Sequence, residues 1–156
     1  MISSISKALI RMGFKRLKRW INVLMLQDLS QGKPLELMKV ALIRSKFAES
    51  IARNSSFNHK AEEVSMTGLF SLLDTMLGST MKDALDGLAV SDDIYNALVY
   101  EEGELKPICD LVYYYEQANW AKVMEYSEIV NIDVKKLSRG YLAAIKWTAD
   151  IFNTLY

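Results

Sequence analysis

Apolar residues recur along this chain at steps of three and four, the spacing of helices that bury one face. In the segment from Pro34 to Arg53, Leu37, Ala41, Ala48 and Ile51 keep that step, and Leu42 and Phe47 widen the stripe. Thr67–Gly78 departs from the pattern. Its Leu69, Phe70, Leu72, Leu73, Met76 and Leu77 point in nearly every direction, and only Asp74 is charged. A helix apolar around most of its circumference belongs inside a protein. The spacing predicts that one buried helix follows the polar turn Asn54–Asn58 and runs to Leu77, with Gly78 as its stop.

The same reasoning places the other elements. Two amphipathic helices are predicted before Pro34, at Ser3–Met12 and Phe14–Leu26, separated by Gly13. The second has Leu17, Trp20, Ile21 and Leu24 on one face. Gly32 and Pro34 mark the loop before the third helix, proline suiting a first turn. After Gly78 come shorter pieces. Ser79 or Thr80 caps Met81–Leu85, and Ser91 with Asp92 and Asp93 opens Ile94–Tyr100. Leu105–Gln117 tolerates Pro107 in its first turn, Asn119 caps Trp120–Val130, and Asp133 caps Val134–Asn153. With no alternating strand pattern and no repeat, the expectation is an all-α bundle of roughly seven to nine helices.

Composition adds few constraints. The 156 residues suit one domain, 1–156, and at 51% hydrophobic with 7 Gly and 2 Pro the chain is built to fold. A single cysteine, Cys109, forms no intramolecular disulfide and reads as a small core residue of a cytoplasmic protein. No apolar run reaches the ~20 residues that span a bilayer, so no membrane partner is expected. The net charge of zero conceals an asymmetry. Residues 1–60 carry 12 Lys+Arg against 3 Asp+Glu, and the remainder carries 7 against 16. Two complementary surfaces of one domain account for this, and a basic docking patch for an acidic or phosphorylated partner is the sharper reading. Lys15, Arg16, Lys18 and Arg19 are the candidate docking surface. Their spacing wraps charge around the helix instead of laying it along one face, which disfavours a nucleic-acid groove binder.

Catalytic chemistry has little to build on. The one histidine, His59, has no second histidine at any spacing, and a metal hydrolase needs several converging ligands. Glu62 and Glu63 lie one turn beyond it and offer at most a weak metal site. No nucleophile elbow or glycine-rich phosphate loop is present. Asp92-Asp93 and Glu101-Glu102 are adjacent pairs that diverge, and they read as caps and loop solvation. Tyr113-Tyr114-Tyr115 reads as part core and part surface, with one of the three able to anchor an interface.

Three stretches resemble a known family. ISSISKALIRMGFKRLKRW (Ile2–Trp20) resembles the "I-x-S-I-x-x-A-hydrophobic…L-G-x-x-x-L-x-x-W" run of HDOD domains. MTGLFSLLD (Met66–Asp74) resembles the segment that carries "G-L-L-H-D-I-G" in HD-type phosphohydrolases. The run from Ala118 to Thr148 looks like the helical tail of HDOD domains that follow an EAL domain. The resemblance implies an HD-like helical fold related to the cyclic-di-GMP hydrolases of HD-GYP type but stripped of their catalytic residues. Where the metal-binding His-Asp pair would stand, this chain has Ser71-Leu72, and the upstream helix around Arg44-Ser45-Lys46 has no histidine.

The expectation is therefore a non-catalytic signalling module with no metal, no cofactor and no enzyme activity. It would work through contacts with a signalling protein or an attached EAL domain in cyclic-di-GMP signalling. The alternatives are a nucleic-acid or phosphate-binding module on the basic N-terminal helices and, less favoured, a residual metal-dependent phosphohydrolase. In the resembling family further helices precede the Ile2–Trp20 run, so an N-terminally truncated domain is expected. Apolar surface left uncovered would then favour a homo-oligomer.

Overall fold

In a computed structural model of the chain, residues 34–86, 88 and 90–155 are described. The expectations for Ser3–Met12 and Phe14–Leu26, including Lys15, Arg16, Lys18, Arg19 and Trp20, lie outside them. Among the described residues all regular structure is helical. The central element is α1 (Pro34–Arg53), with the bounds that Gly32, Pro34 and the apolar stripe predict. A 3₁₀ turn at Asn58–Lys60 leads into α2 (Ala61–Phe70), followed by α3 (Leu73–Leu77) and α4 (Met81–Leu85). Next come α5 (Asp92–Tyr95), running into a π-helical turn at Asn96–Tyr100, then α6 (Lys106–Glu116), α7 (Trp120–Val130) and α8 (Lys135–Leu155).

The caps form where the sequence places them. The side chains of Thr80, Ser91 and Asn119 accept from the backbone N–H groups of Asp83, Ile94 and Lys122. Gly78 ends α3 at φ 61°, in the left-handed region where a glycine costs nothing. One expectation fails. The helix predicted to run unbroken to Leu77 stops at Phe70 and restarts at Leu73. Its apolar residues divide accordingly: Leu69, Phe70, Leu73 and Met76 are buried, Leu72 is half-buried and Leu77 is exposed.

α1 packs most extensively against α2, next against α8, and it also touches α6, which carries α7 on its other side. Phe47, Leu42, Met38 and Ile51 of α1 meet Val64 of α2, Ile108 and Leu111 of α6 and Leu137 of α8 in one continuous core. At about 25 cal/mol per Å² of apolar surface removed from water, such a core is the main favourable term in folding.

Candidate functional site

The α1–α2 contact is built from small side chains. Ala41, Ser45, Ala48 and Ala52 lie at i, i+4, i+7 and i+11 on one edge of α1, all buried. α2 answers with Ala61, Ser65 and Gly68. A Cβ built on Gly68 would lie 2.8 Å from the Ser45 Cα and backbone N, so the two backbones run closer there than any side chain allows. Ser45 Oγ closes the contact, donating to the Ser65 carbonyl at 2.8 Å and lying 3.0 Å from Ser65 Oγ.

This close approach brings Arg44 to the break that follows α2. Its Nη1 donates to Ser71 Oγ at 3.3 Å, and Ser71 Oγ in turn donates to the Gly68 carbonyl at 2.7 Å. The other edge of the guanidinium grips Glu116 of α6 in a fork, with Nε on Oε1 and Nη2 on Oε2, each at 2.8 Å. Paired, planar bonds of this kind are the strong, direction-setting form of an ion pair. Arg44, Ser71 and Glu116 thus join three elements, and the last two come from positions 27 and 72 residues away from the first.

Beside this cluster opens a cleft of about 240 Å³, with Arg44, Gly68, Ser71, Lys106, Cys109 and Tyr113 among its walls. Both cations among its described lining residues are paired, Arg44 with Glu116 and Lys106 with Asp110. Lys106 pairs with Asp110 at 2.7 Å; burial pulls the ammonium down, and the Asp110 carboxylate more than offsets it, so the net shift is upward. Cys109 is half-buried, and burial pushes its thiol up to about 12, with the Lys106 charge acting the other way. A thiol of that kind is a poor nucleophile at neutral pH. The rim is set partly by Glu101, which ends the π turn at φ 54°, a left-handed conformation uncommon outside glycine.

The pair Ser71-Leu72 that the resemblance sets at the metal position falls at the break itself. Ser71 is bonded to Arg44, and half-buried Leu72 packs on the core. These donors do not suit a metal: one neutral hydroxyl and one carboxylate already held by an arginine. Among the described residues no group of three His, Cys, Asp or Glu could hold an ion. His59 stands exposed on the 3₁₀ turn, its Nε2 3.9 Å from Glu104 Oε1. Glu63 accepts from Ser91 Oγ at 2.8 Å, and Asp93 takes the Lys60 ammonium, which Glu104 also approaches at 3.4 Å. The Asp93 hydrogen bond keeps the Lys60 pKa above its usual value although burial opposes it. Tyr115 packs against Phe47, Tyr141 and Trp120, Tyr114 against Tyr126, and Tyr113 is exposed. The residue that reading the sequence misses is Glu116. Its only signal was an acidic position at the end of a predicted helix.

Two curated proteins are similar over almost the whole chain. The cyclic di-GMP phosphodiesterase CdgJ of Vibrio cholerae is 29% identical over 150 residues, covering 96% of this chain and 35% of that protein. The uncharacterized protein YuxH of Bacillus subtilis is 30% identical over 155 residues, covering 97% of this chain and 37% of its own length. The chain spans little more than a third of the curated relatives it matches. No family model matches the chain. No solved structure matches it. No helix of the described residues is long and apolar enough to cross a membrane.

Proposed function

We propose that this chain is a non-catalytic, HDOD-like signal-transduction module that works through protein–protein or interdomain contacts in cyclic-di-GMP signalling. The observation that carries the reading is the Arg44–Ser71–Glu116 cluster. The Arg44 guanidinium bonds Ser71, which the resemblance sets in place of the first residue of the metal-binding His-Asp pair, and its fork is spent on Glu116. Such a cluster ties α1 and α6 to the break after α2 without activating water. The similarity to a protein named as a cyclic di-GMP phosphodiesterase, of which this chain spans 35%, supports the signalling context. An attached or associated EAL domain is the partner this reading calls for.

The test is a turnover assay of the purified chain with cyclic di-GMP and added Mn²⁺ or Mg²⁺, run beside titration calorimetry of each metal. No turnover and no metal uptake are the expected results. Hydrolysis that a chelator abolishes would overturn the proposal. Mixing the chain with an EAL phosphodiesterase of the same organism tests the positive half, a change in that enzyme's rate being the expected outcome.

A further inference from the structure

The outer face of α8 combines charge and apolar surface in one line. Lys135, Arg139, Leu142 and Lys146 stand at i, i+4, i+7 and i+11, opposite the buried Leu137, Ala144 and Thr148. The stripe is about 16 Å long at 1.5 Å per residue. Leu142 is 65% exposed, and Ile145 on its flank is 41% exposed. None of the three cations has an ion-pair partner among the described residues. That sets them apart from the cations of α1, where Lys39, Arg44, Lys46 and Arg53 all have one.

A complementary surface exists on the same chain. A groove of about 400 Å³ lies between α4 and α5, with Leu88, 43% exposed, and half-buried Val90 along it. Asp83, Asp86 and Asp92 edge it, with Lys82 as the one cation among its described lining residues. These three carboxylates, too, have no ion-pair partner among the described residues. Leucine flanked by cations on one surface faces leucine flanked by carboxylates on the other, the arrangement that steers and registers two protein surfaces.

We propose that the outer stripe of α8 docks into the α4–α5 groove of a second copy of this chain, head to tail. Leu142 and Ile145 bury against Leu88 and Val90, while Arg139 and Lys146 reach the aspartates at the groove's edge. The two surfaces differ, so the contact is heterologous and a pair of copies keeps one stripe and one groove free. Such contacts extend into open chains unless their rotation closes a ring.

Sedimentation velocity of the full chain over a concentration series at low and high salt tests this directly. The Debye length falls from about 30 Å at 0.01 M to about 3 Å at 1 M, so association is expected at low salt and should weaken about tenfold or more at high salt. The charge-reversed variants Arg139→Glu/Lys146→Glu and Asp83→Lys/Asp86→Lys are each expected to be monomeric alone. Mixed, they regain association, because each restores the complement that the other lost. All four positions are exposed, and far-UV circular dichroism checks that both variants keep the native helix content. A chain that stays monomeric at every concentration and salt, association indifferent to salt, or variants that fail to recombine would each overturn the proposal. The wild-type salt series stands as a test without either variant.

Discussion

The two sides of α1 meet their neighbours by opposite means. Toward α2 the contact is small and polar at its centre: alanines, Ser45 on Ser65, and backbones close enough that Gly68 alone fits. Toward α8 it is large and aromatic. Phe47 meets Tyr141 edge-on at 5.1 Å, Lys46 lies over the Trp147 ring at 5.4 Å, and Lys39 lies over Phe152 at 5.6 Å. Small residues fix backbone against backbone, so positions along the contact tolerate little displacement. Long side chains swing and re-pack. The rigid side is the one that holds Arg44 within reach of Ser71 and Glu116, where a shift of about 1 Å would break the fork. The adjustable side carries the helix whose outer face is free to meet a partner.

Two glycines put that contrast to its hardest test. Glycine inside a helix ordinarily costs about 1 kcal/mol relative to alanine, so replacing it should help. Gly68→Ala should do the reverse. The new methyl would sit within 3 Å of the Arg44 and Ser45 backbone, which cannot rotate away, and overpacking of this kind costs about 3 kcal/mol. At Gly140 of α8 the nearest atom is Ser50 Oγ at 2.7 Å, the tip of a side chain that can turn aside. Gly140→Ala is expected to be neutral or stabilising by up to about 1 kcal/mol. Urea denaturation of both variants reads the difference, and equal costs would erase the contrast.

Next in size is the ion pair. Glu116→Ala leaves the Arg44 guanidinium with Ser71 as its one remaining partner in the cluster. Removing one partner of a fully buried pair costs about 3–5 kcal/mol; with the Arg44 side chain 23% exposed, about 2 kcal/mol is expected here. Arg44→Met/Glu116→Leu, which removes both charges and keeps the volume, should cost less than Glu116→Ala alone. Urea midpoints of the three variants decide it. A double variant worse than the single would mean that the fork contributes net stability instead of specifying geometry.

Much of this architecture was legible in the sequence, and the limits have physical causes. The bounds of α1, the caps at Thr80, Ser91 and Asn119, and the stop at Gly78 are local: proline, glycine and short polar side chains act within a turn of themselves. The break at Ser71-Leu72 is not. Leucine is a good helix former and nothing beside it disfavours a helix, so the apolar run reads through. What meets the chain at the break is Arg44, from another helix, holding Ser71 Oγ. Glu116 was illegible for the same reason, since a pairing across 72 residues leaves no mark on either neighbourhood.

Cys109 reports on the same cleft through its reactivity. Burial moves its thiol from 9.0 to about 12, which leaves about a thousandfold less thiolate at neutral pH than an exposed cysteine has. Alkylation of the native protein should be slower by that order and should accelerate in Glu116→Ala, as the cleft loosens. The thiol also gives stability a pH dependence. Its contribution is fully present below pH 9.0 and declines as pH rises toward about 12, because only the unfolded chain ionises in that window. Labelling at the rate of a free thiol in the native state would show that the cleft is open to solvent.

The smallest effect belongs to the adjustable side. Lys46→Met keeps the length and apolar stem of the side chain and removes the charge that lies over Trp147 and 3.6 Å from Glu49. Glu49 does not lose its partner, because Arg53 donates to the same carboxylate through Nε and Nη2. What remains to be lost is a cation–ring attraction at a half-exposed site, about 0.5–1 kcal/mol. The methionine can lie along the indole and recover part of that through its own contact with the ring. Thermal melts of Lys46→Met and Glu116→Ala in one buffer set the two sides of α1 against each other. A Lys46→Met cost as large as that of Glu116→Ala would mean that α8 is held as firmly as α2, and its outer face could not yield to fit a partner.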